Sequence, residues 1–303
     1  MTERFARICD DIELCYETFG DPERPTMLLV MGLATQMLGW DAAFCERLAA
    51  RGFHVVRFDN RDVGRSSRVD GPPPTLKQLL RRDPSAAVYT LSDLAADAIG
   101  LLEHLGVRAA HVVGASMGGM IAQTIAIEHP DRVLSLVSIM SNPGSLRTGQ
   151  PAFSIMPLFL RRPPRDREGY AEHLVTLFAK IGSSVDLGRD EDELRAMGRA
   201  SFDRGVSAAG NGRQLAAIVA DRGRAKRLGR VRAPTLVIHG TADRLVRPSG
   251  GRATARAIPG ANLMLVEGMG HDVPRGAWDR IIDAIVDNAA RAGAGEAPPV
   301  PAT

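Results

Sequence analysis

The chain of 303 residues has little cysteine, few aromatic residues and no long apolar run. Its three cysteines, Cys9, Cys15 and Cys45, are odd in number and show no CxxC spacing. That argues against a disulfide framework and against a cysteine-ligated zinc site. None sits in a recognisable nucleophile context, and free thiols suit a reducing cytoplasm. Aromatic residues are 5% of the chain. None interleaves with the basic clusters (Arg161, Arg162, Arg165 and Arg167; Arg222, Arg224, Lys226, Arg227, Arg230 and Arg232) as a base-stacking surface requires. At a net charge of +3, these clusters are expected to form a solvated basic face, and no nucleic-acid partner is expected. No apolar run approaches the ~18 residues of a membrane span. The first twenty residues lack the apolar h-region of a signal peptide, so the cytoplasm is the expected location.

What is present is ordinary for a soluble enzyme: 45% hydrophobic and 24% charged residues. Short β-branched runs alternate with longer helical periods. Strands are expected at 12–17, 26–31, 54–58, 110–115, 133–139, 234–239 and 262–266. Helices are expected at 40–51, 92–105 (with Ser92 as N-cap and Gly106 as C-cap candidate), 117–129, 249–257 and 275–291. Alternation of this kind implies a mostly parallel sheet covered on both faces. Residues 143–228 break the rhythm. They contain no convincing strand, and helical stretches fall near 170–181, 191–202 and 211–220. A strand-free stretch of that length is too long for a loop in a compact domain and reads as a helical cap inserted between two strands. The expected organisation is therefore a core at 1–142 and 229–291, a cap at 143–228, and a disordered tail at 292–303.

The sharpest chemical signal is Gly114-Ala115-Ser116-Met117-Gly118-Gly119. It matches G-x-S-x-G with a strand before it and a helix after it, the context a nucleophile elbow demands. Small residues two before and two after the serine let strand and helix approach closely. The Met117 amide would then lie at a helix N-terminus, where developing negative charge is favoured. Without that context the pentapeptide is only a glycine-rich turn.

A serine hydroxyl needs a base. Of the seven histidines, His54, His104, His111, His129 and His173 lie in strand or helix patterns or at a helix end, and read as packing or surface residues. His239 ends a strand, where a local hydrogen bond suffices. His271, in Gly268-Met269-Gly270-His271-Asp272, lies in the turn after the last strand, where α/β sheets place active groups. Asp243 follows the strand PTLVI in the corresponding place. Ser116, Asp243 and His271 satisfy the chain order of nucleophile, acid and base. Asp243 alone could be a turn-forming residue, and Asp272 is too close in sequence to its neighbour to orient it well. The oxyanion needs two donors. The amide of Met117 is one, and the amide of Leu33, after Gly32, is the second candidate.

In order, VMGLATQMLGW, RFDNRDVGRSS, HVVGASMGGMIAQTIAIEHPDRV, PTLVIHGTADRLV and GMGHDVP resemble the motifs of the α/β-hydrolase superfamily. The resemblance is closest to the aclacinomycin methylesterase-like and mycobacterial lipase/esterase-like hydrolases, and spans about residues 12 to 290 apart from the cap. It implies the α/β-hydrolase fold with an eight-stranded core, a helical cap over the pocket and no cofactor. It carries function onto Ser116, Asp243, His271 and the amides of Leu33 and Met117. Arg61, Asp62, Gly64 and Ser66 resemble the family's structural D-x-R-G-x-G-x-S segment. Two positions depart: Met31-Gly32 stands where many members have His-Gly, and Asp62 stands where R-G-x-G has its first glycine.

The expected reaction is hydrolysis of a small-molecule carboxylic ester through an acyl-enzyme. A serine at the elbow argues against dehalogenase and epoxide-hydrolase chemistry. Thioesterase, lactonase, C–C hydrolase and perhydrolase activities remain alternatives on the same groups, and so does a non-catalytic ligand-binding protein of the same fold. The segment 151–160 (PAFSIMPLFL) is suited to an acyl or alkyl pocket, although packing explains it as well. No metal cluster is visible. A homo-oligomer remains open.

Overall fold

A computed structural model of the chain describes residues 2–155 and 164–293. Half of the apolar segment (156–160), Arg161, Arg162 and the tail from 294 onward lie outside the described residues.

The strands are β1 (Arg4–Arg7), β2 (Glu13–Phe19), β3 (Thr26–Val30), β4 (His54–Phe58), β5 (Ala110–Ala115), β6 (Val133–Ile139), β7 (Thr235–Gly240) and β8 (Asn262–Val266). They form one eight-stranded sheet in the order β1-β2-β4-β3-β5-β6-β7-β8. The β1/β2 and β2/β4 pairs are antiparallel, and the pairs from β4 to β8 are parallel. The helices are α1 (Ala42–Ala50), α2 (Leu76–Arg81), α3 (Leu91–His104), α4 (Met117–Glu128), α5 (Arg167–Ile181), α6 (Glu191–Arg204), α7 (Ala208–Ala220), α8 (Arg224–Arg227), α9 (Ser249–Ala257) and α10 (Trp278–Ala290).

Parallel strands buried on both faces carry continuous apolar runs, and alternate side chains serve opposite layers. In β3, Leu28 and Val30 join one apolar cluster with Leu94 and Leu101 of α3 and Ile121 and Ile125 of α4. Met27 and Leu29 join the other, with Phe44 and Leu48 of α1 and Trp278, Ile281 and Ile285 of α10. The sheet order reverses at β3: the chain leaves it for β4 on one side and returns to β5 on the other. Val30 pairs with Gly114, Ala115 with Ile139, and Gly240 with Val266. The carboxyl ends of these strands therefore share one rim, and the exits of β3 and β5 flank the switch point, where open α/β sheets bind ligands.

Several local expectations change. Thr90, not Ser92, caps α3: its side chain accepts from the Asp93 amide while Asp93 reaches back to Thr90. Gly106 is not the C-cap; Leu105 is, and Gly106 follows at φ +69°. β1 and α2 add to the elements that the sequence pattern indicates. The basic clusters are not uniformly a solvated face. Arg224 is 0% exposed and bonds Asp221, Gln123 Oε1 (3.0 Å) and the Asn142 carbonyl (2.9 Å), a satisfied cation holding α8 against α4 and the exit of β6. Within the segment 151–160, Ile155 is buried but Phe153 is 90% exposed. Between β6 and β7 the described residues carry α5 to α8 and no strand. No helix among the described residues is long and apolar enough to cross a membrane.

Candidate active site

Ser116 sits between β5 and α4 with φ +56°. A non-glycine residue in that region costs on the order of 1–3 kcal/mol, and such strain persists only where the surroundings impose it. Here they do. The Ser116 amide donates to the Ile139 carbonyl of the adjacent strand (2.9 Å). A Cβ on Gly114 would come 2.1 Å from the Gly118 carbonyl oxygen, and one on Gly118 would come 2.0 Å from that of Val30. Only glycines let α4 rise this close to β5 and β3, and the approach forces the turn that projects the serine.

His271 and Asp243 come from the loops after β8 and β7, which are stitched together. Thr241 N–H donates to the Val266 carbonyl (3.0 Å) and Ala242 N–H to that of Met269 (3.0 Å). Gly268 N–H donates to Thr241 Oγ1 (3.0 Å). Asp243 Oδ1 accepts from the amides of Leu245 and Val246, each at 2.9 Å. That leaves Oδ2 for His271 Nδ1, at 2.8 Å. The other ring nitrogen, Nε2, is 2.9 Å from Ser116 Oγ. Burial alone would raise the Asp243 carboxyl, but His271 and His239 more than offset it and hold the group at about 2. An ionised Asp243 can only accept. Nδ1 therefore carries the proton, and the lone pair of Nε2 faces the hydroxyl.

Met117 is the first residue of α4, so its N–H has no intrahelical acceptor by position. Leu33 follows Gly32 at the exit of β3. The reason for Gly32 is proximity rather than backbone sign: a Cβ there would come 3.0 Å from the Cβ of Ser116 and 3.2 Å from the Ala115 carbonyl. The left-handed residue of this loop is Ala34, at φ +59°. The five residues singled out from sequence thus gather at one end of the sheet.

Other participants carry no sequence signal. Residues 181–183, at the C-terminal end of α5, hold the histidine loop. His271 N–H donates to the Ile181 carbonyl (2.7 Å), Gly270 N–H to Ser183 Oγ (2.9 Å), and Ser183 donates from its amide and hydroxyl to Asp272 Oδ1 (2.8 and 2.5 Å). Asp272 is thereby engaged away from its neighbour's ring. His239 is fully buried, and its Nε2 donates to the Val246 carbonyl at 2.7 Å while lying 3.5 Å from Asp243 Oδ2. Burial pushes the thiols of Cys15 and Cys45 up to about 12, so neither is a thiolate at neutral pH. Among the described residues no cluster of three or more His, Cys, Asp or Glu side chains could hold a metal ion.

A family model described as "alpha/beta hydrolase fold" matches residues 25–274. Rhodomycin D methylesterase of Streptomyces peucetius is 32% identical over 302 residues, covering 91% of this chain and 94% of that protein. A 2-hydroxy-6-oxononadienedioate/2-hydroxy-6-oxononatrienedioate hydrolase of Pseudomonas putida is 29% identical over 89% of this chain and 90% of its own. Among solved structures, a thermophilic esterase from Thermogutta terrifontis superposes with a TM-score of 0.70 at 24% identity, over 96% of this chain and 99% of that one, a likeness of fold. With the sheet order, the elbow and the length of these matches together, the chain belongs to the α/β-hydrolase-fold family.

Proposed function

We propose that the protein hydrolyses a small-molecule carboxylic ester by acyl transfer through Ser116, with His271 as general base and acid and Asp243 as the group that orients it. One observation carries the reading: the Ser116–His271–Asp243 relay, with hydrogen-bond distances of 2.9 and 2.8 Å at the carboxyl rim of the sheet. His271 takes the hydroxyl proton as Ser116 attacks the ester carbonyl. The developing oxyanion accepts from the amides of Leu33 and Met117. His271 returns the proton to the departing alcohol, then activates water to release the acid. Asp243 fixes the tautomer and stabilises the imidazolium.

The long match to a protein named as a methylesterase supports an ester as the scissile group. The segment 143–228 is read as a cap over the pocket, which fits α5 to α8 lying between β6 and β7. Its part in choosing an apolar acyl or alkyl group follows from the sequence 151–160.

The test is a p-nitrophenyl ester chain-length series, with a thioester and a lactone beside it, on the wild type and Ser116→Ala. Removing the nucleophile of such a relay costs on the order of 10⁶ in kcat. Preserved turnover in Ser116→Ala would end the assignment. Absence of turnover and of fluorophosphonate labelling in the wild type would favour a non-catalytic binding protein.

A further inference from the structure

The Leu33 amide belongs to the peptide plane joining Gly32 to Leu33. The plane before it carries the Met31 carbonyl, which accepts from Asn60 Nδ2 at 3.0 Å. The plane after it carries the Ala34 N–H, which donates to Gln214 Oε1 at 2.9 Å. Both neighbours of the Leu33 amide are thus fixed by side chains from elsewhere, one from the loop after β4 and one from α7. Asn60 is 1% exposed and Gln214 0%, so water does not compete for either bond. The side-chain amide of Gln214 has one orientation only, because its Nε2 donates to the Arg61 carbonyl at 3.0 Å. Neither residue is among the groups assigned above.

The loop has little to hold it by itself. Within it, Thr35 N–H donates to the Gly32 carbonyl at 3.3 Å and Thr35 Oγ1 to the Leu33 carbonyl at 3.1 Å. Ala34 occupies the left-handed region at φ +59°, which an alanine leaves readily unless constrained. Arg213, next to Gln214, sets the register of α7 by gripping Asp62 with both arms (2.8 and 2.6 Å).

We propose that Asn60 and Gln214 are positioning residues for the oxyanion site: by fixing the two peptide planes that flank it, they aim the Leu33 N–H at the oxygen that becomes negative. The proposal rests on the reading of Leu33 as an oxyanion donor. It also gives the helices between β6 and β7 a part in the chemical step through Gln214. An oxyanion donor must sit about 2.7–3.1 Å from the developing charge, and a misplacement of about 1 Å can cost on the order of 10² in rate.

The test is hydrolysis of p-nitrophenyl acetate by Gln214→Met and Asn60→Leu, paired with inhibition by phenylboronic acid. The tetrahedral serine adduct of that inhibitor presents an oxygen to the oxyanion site. The expected result is a fall in kcat of about 10- to 100-fold with KM held within about threefold, and boronate affinity weakened in step with kcat/KM. A merely structural role would not couple those two losses. The substitutions lie on different elements, so a folding failure in one leaves the other to decide. Retention of kcat within about twofold, or a fall in kcat with boronate affinity unchanged, overturns the proposal. Turnover by Ser116→Ala overturns instead the serine-hydrolase reading beneath it, a result separable from either of these.

Discussion

Asp62 and Arg213 form a two-armed ion pair, Nε to Oδ2 at 2.8 Å and Nη2 to Oδ1 at 2.6 Å, that ties the loop after β4 to α7. Asp62 occupies the tight turn Arg61-Asp62-Val63-Gly64, and it does so at φ +72°. A left-handed aspartate costs on the order of 1 kcal/mol, and its carboxylate is fully buried. Burial would raise the carboxyl, yet Arg213, the Val69 amide (3.0 Å) and the Tyr89 hydroxyl (2.8 Å) leave it below the usual range.

Removing one partner of a buried pair costs about 3–5 kcal/mol, because the other charge stays behind. Asp62→Asn is expected to lose stability on that scale in urea unfolding. Asp62→Gly relieves the backbone by about 1 kcal/mol but strands Arg213, and remains a net loss. Asp62→Gly with Arg213→Leu recovers part of it. Equal midpoints for the wild type and Asp62→Asn would show that the pair contributes nothing.

Gly118 in the elbow and Gly229 on the surface call for opposite outcomes on substitution. Gly118→Ala drives a methyl to 2.0 Å from the Val30 carbonyl oxygen, where neither partner is a flexible side chain. A cost above the usual ~1–3 kcal/mol of overpacking is expected, together with loss of esterase activity. Gly229→Ala is the control. Nothing lies within 4 Å of its added Cβ, so its stability is expected to stay within about 0.5 kcal/mol of the wild type or to rise slightly.

Stability is expected to fall on mild acidification. His111 lies buried between the sheet and Phe53, bonded to Ser135 Oγ at 2.9 Å, and burial lowers it to about 4. Burial lowers His54 as well. Unfolded histidine titrates near 6.5, so between about pH 6.5 and pH 4 the unfolded chain binds more protons. Stability is then complete above about 6.5 and declines toward 4, by on the order of 3 kcal/mol for His111. Urea midpoints at about pH 7 and about pH 5 should differ less in His111→Gln than in the wild type. Equal differences in the two proteins would remove His111 from the account.

The Ser183 hydroxyl joins the Gly270 amide to Asp272, beside the proposed base His271. Ser183→Ala leaves a buried amide and a half-buried carboxylate short of a partner, a loss of about 1–3 kcal/mol. Because the histidine loop hangs from this contact, kcat is expected to fall about tenfold or more. Unchanged kcat at reduced stability would confine Ser183 to a structural role.

Much of this was legible in the chain. β3 to β8 announce themselves as short apolar or β-branched runs, and the residues proposed as nucleophile, acid and base follow from a motif and from the chain order that this fold imposes. β1 gives no sequence signal because it has only four residues, Arg-Phe-Ala-Arg, two of them charged and most exposed, with no apolar alternation. The cap of α3 was misplaced by two residues, although Thr90-x-x-Asp93 is itself a capping-box spacing. Gln214 and Asn60 could not be found. A lone amide side chain has no local pattern, and the Gln214–Ala34 bond joins residues 180 apart. Arg224 looked like surface because its basic neighbours do; only the fold shows Asp221 and Gln123 closing over it.

Everything proposed for the site requires the Ser116 hydroxyl to become a nucleophile through His271. The most direct measurement is intact-protein and peptide mass spectrometry after brief exposure to a fluorophosphonate. One adduct per chain is expected, on the peptide containing Ser116, with labelling lost in Ser116→Ala and strongly slowed in His271→Ala. An adduct on a different residue, or equal labelling of the wild type and His271→Ala, would contradict it.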